Sequence, residues 1–386
     1  MTAPSAPVVI IGSGLAGYGV AREFRRQDKD TPLVIVTRDG GGFYSKPMLS
    51  NALAGKKTAE SLVMKPAEKM AAELNASIKT RTSVSHIDTE AQLLTLDSGE
   101  VLAYRDLVLA LGADPIRLPL QGDAAADVLS VNDLDDYARF AGRLEGAKTV
   151  AILGAGLIGC EFANDLLARG IQPVVIDLAD RPLPRLLPHE ASARLRRLFE
   201  AAGVRFHFNV AAGRVDRSAS GVMLLLSDGT SIEADLVLSA IGLKPRTDVA
   251  SKAGLTVNRG VVVDRLLATS APHVYAVGDC AEVEGHTLPY VMPLMQQSRA
   301  LAATLAGTPT QVVYPAMPVI VKTPACPTVV CPPPLAAVGS WTTELSADGC
   351  ASHFIADDGT LLGFAVMGSA TSQKQTLAAR IAALLA

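Results

Sequence analysis

Apolar and polar positions along this chain follow a pattern that is written twice. Val8-Val9-Ile10-Ile11 is a short continuous apolar run, the mark of a strand buried on both faces, and it meets Gly12-Ser13-Gly14-Leu15-Ala16-Gly17. An amphipathic stretch to about Arg26 follows, with Val20 and Phe24 on one helical face, and Leu33-Val34-Ile35-Val36 predicts a second strand. The order returns at Val150-Ala151-Ile152-Leu153, Gly154-Ala155-Gly156-Leu157-Ile158-Gly159, a helix through Phe162, Leu166 and Leu167 that stops near Gly170, and Val174-Val175-Ile176-Asp177. Each copy predicts a βαβ unit.

The copies stay in step further on. Leu93 to Leu96, a turn at Asp97-Ser98-Gly99 and the run Leu107-Val108-Leu109-Ala110-Leu111-Gly112 close the first. Met223 to Leu226, a turn at Asp228-Gly229 and Leu236-Val237-Leu238-Ser239-Ala240-Ile241-Gly242 close the second. Internal duplication on this scale predicts two nucleotide-binding domains. From about Met317 the pattern changes to prolines and short β-like runs. Phe354-Ile355 and Leu361-Leu362-Gly363-Phe364 flank an Asp358-Gly359 turn and predict a hairpin, and Leu377 to Leu385 reads as a final helix. The expected fold class is α/β: two Rossmann-like domains plus a small α+β C-terminal domain. The expected bounds are 1–112 with 247–310 for a discontinuous first domain, 113–246 for the second and 311–386 for the third.

Composition narrows the function classes. With 386 residues and 49% apolar content the chain builds large cores, and a net charge of −3 argues against general nucleic-acid binding. Five scattered cysteines are no disulfide framework and suit a reducing compartment. No signal peptide is visible, and no uncharged apolar stretch of membrane-spanning length runs free of glycine breaks. A cytoplasmic protein without membrane insertion, monomeric or homodimeric, is therefore expected. The six histidines have no metal spacing, so no metal is assigned.

The chemistry is in the glycines. A pyrophosphate needs backbone N–H donors at close range, and a helix N-terminus offers them together with a partial positive charge. The first glycine of each fingerprint permits the tight turn, the second the approach of phosphate, and the third the packing of helix on strand. A carboxylate after the second strand accepts hydrogen bonds from a ribose and disfavours a 2′-phosphate. Asp177 occupies that place in the second copy, which favours NADH over NADPH. In the first copy Thr37-Arg38-Asp39 stands there, leaving Asp39 or Arg38 to meet the adenosine side.

Thr269 to Asp279, a strand ending in Gly278-Asp279, resembles the second FAD fingerprint of the two-dinucleotide-binding flavoproteins. The resemblance implies that FAD sits on the first copy completed by Asp279, and that the second copy takes NADH. Tyr44-Ser45-Lys46-Pro47-Met48-Leu49-Ser50 is similar to the corresponding segment of oxygenase-coupled ferredoxin reductases, rubredoxin reductases and apoptosis-inducing factor, as is Gly154 to Ala163 with its Glu161. Met317 to Pro324 looks specifically like the short C-terminal domain of rubredoxin reductases. Glutathione-reductase-like members carry C-x4-C after the first βαβ unit, whereas here that region has no cysteine. Cys326 and Cys331 have the spacing but lie in the third domain, where no stacking on a flavin is expected.

The resemblance also implies residue roles. Lys46, beside Pro47, would set a positive charge next to the flavin; Glu161 would hold the nicotinamide carboxamide or hydrogen-bond to Lys46; Lys322 would approach the flavin's pyrimidine edge or stand as a solvated strand-end lysine. Val84 matches the position whose backbone meets the adenine. Ala110, Leu111, Gly112 and Val291 lie where the family chain passes the FAD, and Gly242 is their counterpart in the second copy. The implied activity is hydride transfer from NADH to FAD, then delivery of single electrons to rubredoxin or another small iron–sulfur carrier, as in alkane oxidation. Two alternatives stand beside it. One is a ferredoxin or nitric-oxide-detoxifying acceptor; the other is a binding protein of the apoptosis-inducing-factor type, which the lack of a long insertion or basic tail disfavours.

Overall fold

The structure, a computed structural model, describes residues 6–386. Strands Val8–Ile11, Leu33–Val36, Ser77–Lys79, Asp106–Leu109 and Val274–Ala276 form one parallel sheet, with 8–11 at its centre between 106–109 and 33–36. Strands Thr149–Leu153, Gln172–Asp177, Arg205–Phe208 and Leu236–Ser239 form a second parallel sheet with 149–153 between 172–177 and 236–239. The apolar runs that predicted these strands are buried on both faces because helices cover both sides of a parallel sheet. Each unit adds a three-stranded antiparallel meander, 84–88 with 93–96 and 101–103, and 212–217 with 222–226 and 231–234. Their tight turns are closed by Gly99 and Gly229 at φ of +85° and +86°, so the duplication reaches down to single backbone angles.

The first sheet is discontinuous in sequence. Its edge strand Val274–Ala276 arrives only after the second unit has been laid down, and pairs with 106–109. The two crossings between the units run side by side as an antiparallel pair, Ala113–Pro115 with Leu243–Pro245. Beyond the long helix Val291–Leu305, a five-stranded antiparallel sheet builds the C-terminal domain in the order 319–321, 328–331, 361–368, 349–355, 340–345. The hairpin at Asp358-Gly359 is present. The final helix is shorter than its sequence predicts: it covers Lys374–Ala378 only. Beyond it Ile381 packs back on the sheet and Leu385 exchanges backbone hydrogen bonds with Tyr314, so tertiary pairing overrides local helix propensity. Among the described residues no helix is long and apolar enough to cross a membrane.

The cores do not follow the chain order. Leu49, Ala52 and Leu53 belong by sequence to the first unit, yet they are buried in the core of the second with Phe140, Phe162 and Leu166. One face of the C-terminal sheet, through Val321, Cys326, Val330 and Met367, joins this same core. The other face is covered by the chain's own Leu377 and Ile381.

This grafting is measurable. Leu53→Ala removes a side chain that is 1% exposed and should cost about 2–5 kcal/mol. Leu335→Ala, at a position that is fully exposed, should stay within about 0.5 kcal/mol. Urea denaturation followed by fluorescence and circular dichroism distinguishes the two.

Candidate active site

The first fingerprint forms a cradle in which each glycine has a distinct steric reason. A Cβ on Gly12 would lie 2.2 Å from the Ala110 carbonyl oxygen, and one on Gly17 only 1.9 Å from the Gly12 carbonyl oxygen. A Cβ on Gly14 would meet nothing within 4 Å. The first and third glycines are thus needed by the protein, while the second borders open space. Helix Leu15–Gln27 starts there with no side-chain cap and no acidic residue in its first turn. Its leading N–H groups are left for an outside acceptor, so the cradle fits an anionic dinucleotide.

The second fingerprint repeats this geometry. A Cβ on Gly159 would lie 1.9 Å from the Gly154 oxygen, and Gly156 again faces open space. Helix Leu157–Leu167 is likewise uncapped and free of acid in its first turn. Asp177, at the end of its strand, accepts from the Ala155 N–H at 2.5 Å and from the Ala179 N–H at 2.7 Å, fixing the carboxylate against the glycine turn. Leu157 is half-buried and Ile158 is exposed at the helix start, and the Gly242 carbonyl oxygen accepts from the Ile116 N–H across the crossing.

In the first copy the displaced carboxylate reaches the same place by another route. Asp39 Oδ1 accepts from the Ser13 hydroxyl at 2.9 Å, the Thr37 hydroxyl at 2.8 Å and the Gly41 N–H at 2.8 Å. Arg38 instead turns to Asp114, which also holds Arg246 at 2.6 Å. Burial pushes the Asp114 carboxyl up, but the two guanidinium groups outweigh it and leave it below the usual range. Arg246 further donates to the Leu111 carbonyl at 2.7 Å, and its N–H to the Gly112 carbonyl at 3.0 Å, tying the end of the 106–109 strand to the returning chain. Ala110 is buried there, and Val84 is half-buried at the start of its meander.

Gly278-Asp279 closes on the first cradle. A Cβ on Gly278 would lie 2.7 Å from the Ala16 Cβ, so this turn rests on the first turn of the fingerprint helix. The Gly278 N–H donates to Gln297 Oε1 at 2.6 Å, and Gln297 in turn donates to the Tyr314 hydroxyl at 2.7 Å. Lys46 Nζ lies 3.8 Å from Asp279 Oδ2. Desolvation lowers the Lys46 pKa, and the Asp279 charge opposes that fall. Pro47 sits in the first turn of the short 3-10 helix Lys46–Asn51, and Val291 opens the long helix after Tyr290.

Glu161 is fully buried and does not bond to Lys46. Its Oε2 accepts from the Ser50 hydroxyl at 2.6 Å and contacts Lys322 Nζ, while Oε1 accepts from the Lys322 backbone N–H at 2.9 Å. Of the alternatives open for Lys322, the structure thus supplies a third, an ion pair with Glu161. One helical turn on, Asp165 accepts from the Leu53 and Ala54 N–H groups at 2.8 Å each, and Asn164 from the Ala325 N–H at 2.9 Å.

A model of the pyridine nucleotide-disulphide oxidoreductase family matches residues 6–304. The chain belongs to this family. A second model, the rubredoxin binding C-terminal domain, matches residues 311–381 of the oxidoreductase. Rubredoxin-NAD(+) reductase of Alcanivorax borkumensis is 49% identical over 380 residues, covering 98% of this chain and 99% of its own. A nitric oxide reductase FlRd-NAD(+) reductase of Aeromonas salmonicida is 37% identical over 369 residues, covering 95% and 94%. A solved ferredoxin reductase from Rhodopseudomonas palustris superposes with a TM-score of 0.88 at 29% identity, covering 98% and 96%. The oxidoreductase therefore uses a flavin and a nicotinamide.

Sequence reasoning about the oxidoreductase passed over Asp165, Ser50, Arg246 and Gln297. One signal was available: Glu161, Asn164 and Asp165 recur at i, i+3 and i+4 on an otherwise apolar helix, a polar face that needs partners outside it. The five cysteines are all free and buried. Cys326 and Cys331 belong to different apolar clusters on opposite sides of their sheet, and Cys280 donates to the Leu109 and Val277 carbonyls. Burial pushes the Cys280 and Cys331 thiols up to about 11.

The glycine geometry separates two variants of the ligand-free oxidoreductase. Gly17→Ala should melt at a clearly lower temperature, because neither backbone can retreat from the new Cβ. Gly14→Ala, which meets no atom but puts Ala at the helix N-cap, should cost no more than about 1 kcal/mol. Thermal unfolding by circular dichroism reads both.

Proposed function

We propose that the chain is an NADH-dependent reductase of rubredoxin with FAD as its flavin. Support comes above all from Glu161: one buried carboxylate joins the helix of the second fingerprint to Ser50 of the Lys46 turn and to Lys322 of the domain matched by the rubredoxin-binding model. Such a contact ties the second fingerprint helix, the Lys46 turn and the C-terminal domain to one carboxylate. The bound flavin supplies acceptance of hydride from NADH and release of electrons one at a time.

The chain's own residues bind, orient and set charge. Gly12 to Gly17 hold the FAD pyrophosphate, with Asp279 on the ribityl side, Thr37, Arg38, Asp39 and Val84 on the adenosine side, and Ala110 to Gly112 and Val291 along the ring. Gly154 to Gly159, Asp177 and Gly242 take NADH. Lys46, held by Asp279 in a partly desolvated place, stabilises negative charge on the reduced ring; Glu161 orients Lys322 toward the junction. The domains divide at 112, 246 and 310. We place the reaction in the cytoplasm, where free thiols persist, and in the supply of electrons for alkane oxidation.

The 49% identity to a rubredoxin-NAD(+) reductase exceeds the 37% to a nitric oxide reductase FlRd-NAD(+) reductase, which favours rubredoxin. The ferredoxin reductase structure at TM-score 0.88 supports a ferredoxin acceptor as the second reading.

Anaerobic NADH should bleach a yellow protein, and added rubredoxin should then be reduced faster than ferredoxin. A colourless protein rejects the whole reading; faster ferredoxin reduction rejects only the acceptor. Asp177→Ala should raise the KM for NADH roughly tenfold to a hundredfold and lower that for NADPH, because the carboxylate that accepts from the ribose also repels a 2′-phosphate. Cys326→Ser with Cys331→Ser should keep wild-type rubredoxin reduction, and a large loss would show that a thiol carries electrons. Gly14→Ala should fold and yet purify without flavin.

A further inference from the structure

We propose that Asp165, a residue of the nicotinamide unit, is a positioning residue for Lys46 in the flavin unit. The inference rests on the flavin-reductase reading above and adds to it the part that fixes the lysine.

Lys46 stands on a short loop with few internal hydrogen bonds. The 3-10 helix Lys46–Asn51 has no side-chain cap at its start, and the turn after it is held mainly by the Lys56 and Lys57 N–H groups bonding to the Leu53 and Ala52 carbonyls. Such a loop cannot by itself hold a desolvated ammonium group in one place. Its anchors are external. Leu49, Ala52 and Leu53 are buried in the second unit's core, and the Leu53 and Ala54 N–H groups are both taken by the Asp165 carboxylate at 2.8 Å. Asp165 is 2% exposed and spends one oxygen on each amide, in bidentate fashion.

A carboxylate is the side chain this geometry requires. The two adjacent backbone N–H groups each meet a separate oxygen, and an ionised carboxylate is the side chain that has two acceptor oxygens and no donor. Charge-assisted hydrogen bonds are also about twice as strong as neutral ones. The ionised form has a cost here: desolvation raises the Asp165 pKa, and the two amides oppose that rise. A merely space-filling position would be met by an apolar residue of similar volume without this burial of charge. Asp165 and Glu161 lie one helical turn apart and grip the same loop at Ser50 and at Leu53-Ala54. The helix that starts at the second glycine fingerprint therefore sets the place of the cation in the first unit. A small shift of that helix carries Lys46 with it.

The test compares flavin-loaded wild type, Asp165→Asn, Lys46→Gln and the double variant. Asparagine keeps the size of Asp165 but sets its NH2 group against one of the amides. Stopped-flow reduction by NADH gives a limiting rate and an NADH dissociation constant; photoreduction against a reference dye gives the flavin potential; hydrogen exchange reports peptides covering 46–57. For Asp165→Asn the expected result is faster exchange in 46–57, a limiting rate lower by roughly tenfold to a hundredfold, an NADH dissociation constant within about twofold of wild type, and a more negative flavin potential. In the Lys46→Gln background Asp165→Asn should add no further loss of rate or potential, since both act through one charge. Losses that simply multiply, or a lowered melting temperature with rate and potential unmoved, overturn the proposal and leave Asp165 a structural residue. If Asp165→Asn does not retain flavin, Asp165→Glu, with its charge displaced by one methylene, is put through the same cycle with the same two outcomes. A wild type that NADH does not bleach rejects the reductase reading instead, while exchange in 46–57 still reports whether Asp165 holds the loop.

Discussion

The close approach of a helix to the strand before it governs this molecule. Where Gly17 passes the Gly12 carbonyl, and Gly159 the Gly154 carbonyl, a single added carbon would lie 1.9 Å from oxygen. Only at that distance do the leading N–H groups of the helix open onto the space beside Gly14 and Gly156. The parallel sheets follow from the same requirement: their strands end at one edge, where two successive turns build each cradle. The start of each fingerprint helix is placed by that contact.

The legible part of the chain was the part governed by local rules. Strands buried on both faces, glycine turns and helix stops depend on residues close in sequence, and the two copies reinforced each other. The final helix was misjudged because Leu385 pairs with Tyr314, a partner no local pattern reveals. The glycines of the candidate site were legible for the same local reason, and so was Asp177. Asp39 was open to either reading until its three hydrogen bonds fixed it on the glycine loop. Glu161 and Lys322 could be named from resemblance, but their mutual contact spans more of the chain than any periodicity reaches. Asp165 is the instructive omission: no motif marks it, and its partners are amides contributed by another unit.

The helix Leu157–Leu167 thus has two kinds of surface at once. Cys160, Phe162 and Leu166 fill the core of its own unit, and Glu161, Asn164 and Asp165 reach respectively the Lys46 turn with the third domain, the third domain alone, and the Lys46 turn alone. Polar contacts suit such a junction. They fix register between bodies that apolar packing alone would let slide.

The interrupted first sheet has a bearing on how the molecule comes into being. The strands of the second parallel sheet are continuous in sequence, whereas strand Val274–Ala276 and the Asp279 turn reach the first sheet only after them, and part of the second unit's core arrives later still from Val321, Cys326, Val330 and Met367. The cradle of the first fingerprint therefore stays open on one side through most of synthesis. Closure of that cradle becomes a late step, one that follows the second sheet and the Asp165 contact its unit gives to the loop after Lys46.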